Sequence, residues 1–102
     1  MISRHWKGTT KPGCADRYVE HLKTRTLPEL AALPGFVSAS ILKREFAGGT
    51  EFQVVTLWES IESIRRFAGE DVEVAVVPPE AARMMVSYDR RVVHYDVVDT
   101  AI

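Results

Sequence analysis

The segment "VVHYDVV" (Val92 to Val98) places a histidine, a tyrosine and an aspartate inside a run of β-formers that holds four valines. In an extended chain alternate side chains share a face, so His94 and Asp96 point one way and Tyr95 the other. Histidine is the side chain best suited to exchange a proton near neutral pH, and Asp96 can orient the ring or hold its proton. A second histidine, His5, stands near the start in "ISRHWKG", between Arg4 and Trp6. If the first and last strands are antiparallel neighbours, His5 and His94 become cross-strand or near-diagonal partners on one face. Such a pair is either a proton-transfer site or a hydrogen-bonded structural pair. Trp6 and Trp58 offer flat walls to an aromatic ligand, and equally suit a core where sheet meets helix. Tyr95 is a further candidate contact. Arg4 can stabilise developing negative charge. Arg4 and Trp6 alternate with His5, however, so one strand cannot aim all three at one pocket.

The remaining polar side chains carry less. His21, in "YVEHLK", sits amid charged neighbours and reads as a solvated surface residue. Three histidines without short spacing, and one cysteine, make no metal motif. Cys14 reads as an inert small residue and cannot form an internal disulfide. Met84, Met85 and Tyr88 suit adaptable packing around a core or an irregular cavity. "AGGT" is a turn, because it lacks the lysine and following helix of a phosphate loop.

The elements that must position these residues follow from periodicity. "ISRHWKG" alternates as a first strand. "TTKPG" signals a helix start, with Thr10 as a cap, and Ala15, Tyr18, Val19 and Leu22 form a one-sided stripe. Pro28 should kink or restart that helix, and Pro34-Gly35 should stop it. "FVSASILKREF" and "EFQVVTLWE" are strands joined by "AGGT". Ser60 caps "IESIRRFA", with Gly69 at the stop. "EDVEVAVV" fits a helical turn or a strand, "EAARMMVSY" reads as helical, and "RRVVHYDVV" as the fourth strand. Strand, helix, strand, strand, helix, strand is a ferredoxin-like α+β pattern with an antiparallel four-stranded sheet and helices on one face. If Val55, Leu57 and Ile41 point to the other face, it is too apolar for water and meets a second subunit, giving a homodimer.

The 102 residues, 46% hydrophobic and 26% charged, suit one soluble domain spanning 1-102. Thirteen basic and fourteen acidic residues leave a net charge of −1, so the field that nucleic-acid binding requires is absent. No apolar run reaches membrane-span length. The expectation is a cytoplasmic protein with no nucleic-acid or membrane partner.

"ISRHWKG", "LPGFVSASIL", "VTLWESIESIRRFAGED" and "RVVHYDVV" together resemble the antibiotic biosynthesis monooxygenase family, in order and spacing across almost the whole chain. The resemblance implies a dimeric α+β barrel built from two ferredoxin-like sheets. It also implies a cofactor-independent monooxygenase, with no cofactor, acting on a small electron-rich aromatic such as a quinol or anthrone-like phenol. On that reading His94 or His5 is the base, Asp96 its partner, and Trp6, Trp58, Arg4 and Tyr95 contact the substrate. The family also holds haem-degrading enzymes, which use a first-strand asparagine, a tryptophan ending the third strand and a histidine ligand in the second helical region. Trp58 matches the tryptophan. The asparagine position falls at or beside His5 and Trp6, and the ligand position near Val77, so haem degradation is not expected. The alternative is a dimeric small-ligand binding or stress-associated protein without turnover, since this fold hosts many roles.

Overall fold

The computed structural model describes residues 1–102. Strand β1 (Ile2–Thr10) is the centre of the sheet, bonded on one side to β3 (Gly49–Trp58) and on the other to β4 (Met85–Tyr88) and β5 (Val93–Asp96). β2 (Phe36–Phe46) lies outside β3, giving the antiparallel order β2-β3-β1-β4/β5. This is the ferredoxin-like order, and its helices cover one face only. The tight turn Ala47-Gly48 joins β2 to β3.

The fourth position of the sheet is divided. β4 pairs with Gly8–Thr10 and β5 with Ile2–His5, so Asp89–Val92 bulge outward beside Trp6 and Lys7. Asp89 stays tied to β1, its N–H donating to Lys7 C=O, while residues 90–92 pair with the segment before Pro78. Val74 bridges Arg91, Ala75 N–H donates to Arg90 C=O, and Val92 N–H donates to Glu73 C=O. "EDVEVAVV" is therefore not a helix: it is a turn at Val72-Glu73 that leads into a strap from Val74 onward. "EAARMMVSY" is likewise divided into a short helix α4 (Pro79–Ala82) and strand β4. The helix does not continue through Met85, because the edge of β1 captures that residue into the sheet.

The first helix begins later than "TTKPG" suggests, because Thr10 stays in β1 and its hydroxyl donates to Thr50 C=O at 3.4 Å. Helix α1 (Ala15–His21) runs into a π-helical turn (Leu22–Thr26) and then α2 (Leu27–Ala31). Pro28 has no N–H to return to the preceding turn, and its ring crowds the Thr24 carbonyl. The wider turn, in which Leu27 N–H donates to Leu22 C=O, absorbs that conflict without ending the helical path. Helix α3 (Ile61–Ala68) is capped by the Ser60 hydroxyl, which accepts from Ser63 N–H at 3.2 Å, and ends at Gly69 with φ 95°.

Two buried clusters form between sheet and helices. Trp6, Tyr18, Leu22, Phe52, Ala81, Met84, Met85 and Val92 make the larger. Leu30, Trp58 and Ile64 make the smaller. Ile41 pairs with Val54 and packs against the larger cluster, so it faces the helices and not the open side as first expected. Val55 and Leu57 do face the open side, with Leu42 (52% exposed), Val93 (51%) and Tyr95 (56%). No helix is long and apolar enough to cross a membrane.

Candidate functional site

Pleating decides the site. Along β1, Arg4, Trp6, Gly8 and Thr10 are buried toward the helices, while Ser3, His5 and Lys7 take the open face. Between the two core clusters lies a cavity of about 310 Å³, at the small end of ligand-binding volumes. Its deep wall includes Arg4, Trp6, Tyr18, Thr56 and Phe67, and exposed Glu29 and Arg66 stand at its mouth.

Arg4 is the unusual member. Its guanidinium is buried, donates from Nη1 to Val72 C=O and from Nη2 to Val74 C=O (2.9 Å), and lies 5.6 Å from the Phe67 ring centre. No carboxylate pairs with it: the ion pairs of the chain involve Arg44, Arg65 and Arg91. Burial lowers its pKa from 12.5 to about 10, so the group remains a cation at neutral pH. A desolvated cation without a counter-ion, on an otherwise largely apolar wall, is a ready site for an anionic oxygen.

His94 supports Arg4 and does not face it as a base toward a ligand. Arg4 Nη1 lies 3.0 Å from His94 Nε2. Arginine can only donate, so Nε2 accepts and the neutral ring carries its proton on Nδ1. Burial, and then the Arg4 charge, lower the His94 pKa and hold it in that neutral form. Its free lone pair is therefore occupied. Asp96 shares the His94 face but is exposed and makes no hydrogen bond to it.

The structure separates the two histidines expected to pair. His94 lies opposite Arg4, and His5 lies opposite Val93. His5 is on the open face, where its Nε2 meets the Ser3 hydroxyl at 2.7 Å and its ring meets Tyr95 edge-on at 4.9 Å. Tyr95 is thus remote from the cavity as well. The register of β5 against β1 depends on how many residues the Asp89–Val92 bulge absorbs, which no local pattern reveals.

The two tryptophans divide. Trp6 lines the cavity, with its indole N–H held by Asp89 C=O at 3.0 Å. Gly8 leaves the space its ring needs, since a Cβ there would strike the Trp6 ring. Trp58 is fully buried behind the wall. Its N–H donates to the Thr56 hydroxyl at 2.8 Å, and its ring stacks on Phe67 at 5.6 Å, so it fixes two lining residues without touching the space.

His21 corrects the expectation of a solvated residue. It lines the cavity, stacks on Tyr18 at 6.3 Å and 18°, and its buried Nε2 has no hydrogen-bond partner. Leaving such an atom unpaired costs about 1–3 kcal/mol. Tyr18 packs between Trp6 and Phe52, and burial raises its phenol pKa, keeping it a protonated donor. The sequence held one signal for His21: it stands three residues after Tyr18, at the border of the apolar stripe.

Val77, where the resemblance puts a haem ligand, offers the cavity only hydrocarbon.

Comparison with known proteins agrees with the fold. A cofactor-independent oxygenase from Streptomyces nogalater, SnoaB, superposes with a TM-score of 0.66 at 19% identity, covering 97% of this chain and 94% of that one. A monooxygenase from Streptomyces coelicolor, solved with the ligand nanaomycin D, gives 0.64 at 18% identity over 99% and 90%. A mutant of MhuD with two manganese protoporphyrin IX bound per active site gives 0.70 at 20% identity over 99% and 98%. No curated protein matches the chain in sequence. The family model described as antibiotic biosynthesis monooxygenase matches residues 1–75, and the chain belongs to that family.

Proposed function

We propose that the chain is a cofactor-independent monooxygenase whose sheet–helix cavity binds a small, hydroxylated, electron-rich aromatic of the quinol or anthrone kind. The observation that carries this reading is Arg4, a buried guanidinium without a carboxylate on an aromatic-walled cavity. Loss of a proton turns such a substrate into an electron-rich anion that can pass an electron to dioxygen. For an anthrone-like carbon the reaction balances without an added reductant: the CH₂ and O₂ become C=O and water, with all four electrons drawn from the substrate. The protein supplies charge stabilisation through Arg4 and orientation between Trp6 and Phe67.

Membership of the family supports the reaction class, and the oxygenase relatives support it by fold alone. We assign substrate contact to Arg4 and Trp6, and wall support to Trp58 and His94. A homodimer fits the same reading, with a second copy covering Val55, Leu57, Val93 and Tyr95 on the open face, and a reducing cytoplasmic setting suits the lone Cys14.

The test is oxygen uptake in metal-free buffer with a panel of anthrones and quinols. Stoichiometric uptake that Arg4→Leu abolishes supports the oxygenase. Saturable binding of the same compounds with no uptake would replace it with a ligand-binding module.

A further inference from the structure

We infer that His94 couples the Arg4 site to protons: on protonation it turns from an acceptor of Arg4 into a second cation, so that an aromatic anion enters the cavity together with a proton. This coupling rests on the cavity function proposed above and concerns the regulation of the same site.

The donors of Arg4 show how a ligand reaches it. A guanidinium has five N–H groups. Nη1 is spent on Val72 C=O and His94 Nε2, and Nη2 donates once, to Val74 C=O. Nε has no partner in the fold. It is not sealed either, because the only buried side-chain nitrogen or oxygen both unpartnered and closed to water is His21 Nε2. Arg4 lines the cavity. A ligand oxygen therefore finds an open donor on a different nitrogen from the one that holds His94.

The contact with His94 works only while the imidazole is neutral. Nε2 accepts from Nη1 at 3.0 Å. An imidazolium donates from both nitrogens, and arginine cannot accept. Protonation thus replaces a hydrogen bond by two cations in contact. An anion on Arg4 neutralises the charge that opposes this. The anion and the imidazole share one buried guanidinium, so their charges act on each other through protein rather than through bulk water. Reciprocity fixes the sign: a bound anion favours protonated His94, and protonated His94 favours the anion by the same factor.

The surrounding charges leave this contact in control. In the free protein burial and then Arg4 hold His94 neutral, opposed by Glu73 in the turn before the strap and aided by His5 on β1. Asp96, on the same face of β5, is exposed and makes no hydrogen bond to the ring. Arg91 and Asp71, the next charges along the bulge and the turn, pair with each other. Helix α3 presents Phe67 to the guanidinium and no charge.

The test uses 2,4-dinitrophenol, a phenol acidic enough to remain an anion across the histidine range, about pH 8 to about pH 5. Its methyl ether, 2,4-dinitroanisole, has the same ring and no charge. Titration calorimetry of the wild-type protein should show affinity for the phenolate rising about tenfold from the top of that range to the bottom, the size of one pKa step. Affinity for the ether should stay level. His94→Gln keeps an oxygen that accepts from Arg4 but cannot be protonated, so its affinity for the phenolate should not change with pH. A purely structural His94 would instead alter affinity alike at every pH. Wild-type protein labelled with ¹⁵N-histidine gives a readout that needs no substitution: saturating phenolate should raise the pH midpoint of the His94 signal and leave that of His5 in place. A level wild-type profile, an equal rise in His94→Gln, or an unmoved His94 midpoint each overturns the coupling and leaves the cavity reading standing. Wild-type protein that binds neither compound at any pH overturns both. If His94→Gln does not fold, the wild-type profile and the His94 midpoint decide the question.

Discussion

Replacing Arg4 by methionine separates binding of charge from binding of shape. Burial lowers the Arg4 pKa from 12.5 to about 10. At about 1.4 kcal/mol per pKa step, keeping the cation costs about 3 kcal/mol, and solvent entering the cavity brings this nearer ~2 kcal/mol. An anionic ligand returns a sum of that size, because it supplies the counter-charge the protein lacks. The affinity of the Arg4→Met protein for an aromatic oxyanion should therefore fall roughly 30-fold. The corresponding methyl ether, with the same rings and no ionisable oxygen, should change less than about threefold. The free protein should alter little in stability. Methionine removes the desolvation cost, but it strips donors from Val72 C=O and Val74 C=O, a loss of similar order. Titration calorimetry with the phenol and its ether, alongside thermal unfolding, reads both quantities. Equal loss for phenol and ether, or no loss for either, would refute the view of Arg4 as an oxyanion site.

Further outcomes follow from the same geometry. His94 has a lowered pKa, so the unfolded chain binds more protons than the folded one just below 6.5, and stability should fall on acidification through that range. Urea unfolding should show this fall, and His94→Gln, whose amide oxygen can still accept from Arg4, should flatten it. Trp58→Phe should cost about 1–3 kcal/mol through the lost Thr56 bond and the reduced Phe67 stack, measured as a lower urea midpoint. Gly8→Ala should displace the Trp6 ring, costing roughly 1–3 kcal/mol and weakening ligand binding, read from unfolding and from Trp6 fluorescence titration. Ser60→Ala should cost about 1 kcal/mol in thermal unfolding, by removing the cap of α3.

How far the molecule was legible depended on the range of the interaction. Strands β1 to β3 and the capped helix α3 follow from alternation, turn chemistry and a single serine, all local. The partition of β1 was legible too: Arg4 and Trp6 had to share one face and His5 the other. Which of those faces held a cavity was not, since that depends on where the helices pack. The pairing of His5 with His94 failed on register. Four residues, Asp89 to Val92, stand against Trp6 and Lys7, and that insertion is settled by contacts with the strap around Val74. The charged neighbours of His21 point to solvent, whereas a helix can turn one border residue inward among them. Trp58 was placed in sequence correctly, yet it acts from behind Thr56 and Phe67, a distinction that only depth from the surface can make.

The π-helical turn at Leu22–Thr26 lets the two halves of the first helix keep their phase around an added residue. One residue of α-helix turns the chain by about 100°. The wider turn instead takes its extra residue into the same revolution, since Leu27 N–H reaches Leu22 C=O. Tyr18 and Leu30 therefore present the faces that an unbroken α-helix one residue shorter would give them. An insertion one residue long is in this sense absorbed on the spot, by which a lineage can accept Pro28 in mid-helix and still leave both halves of the cavity wall where they were.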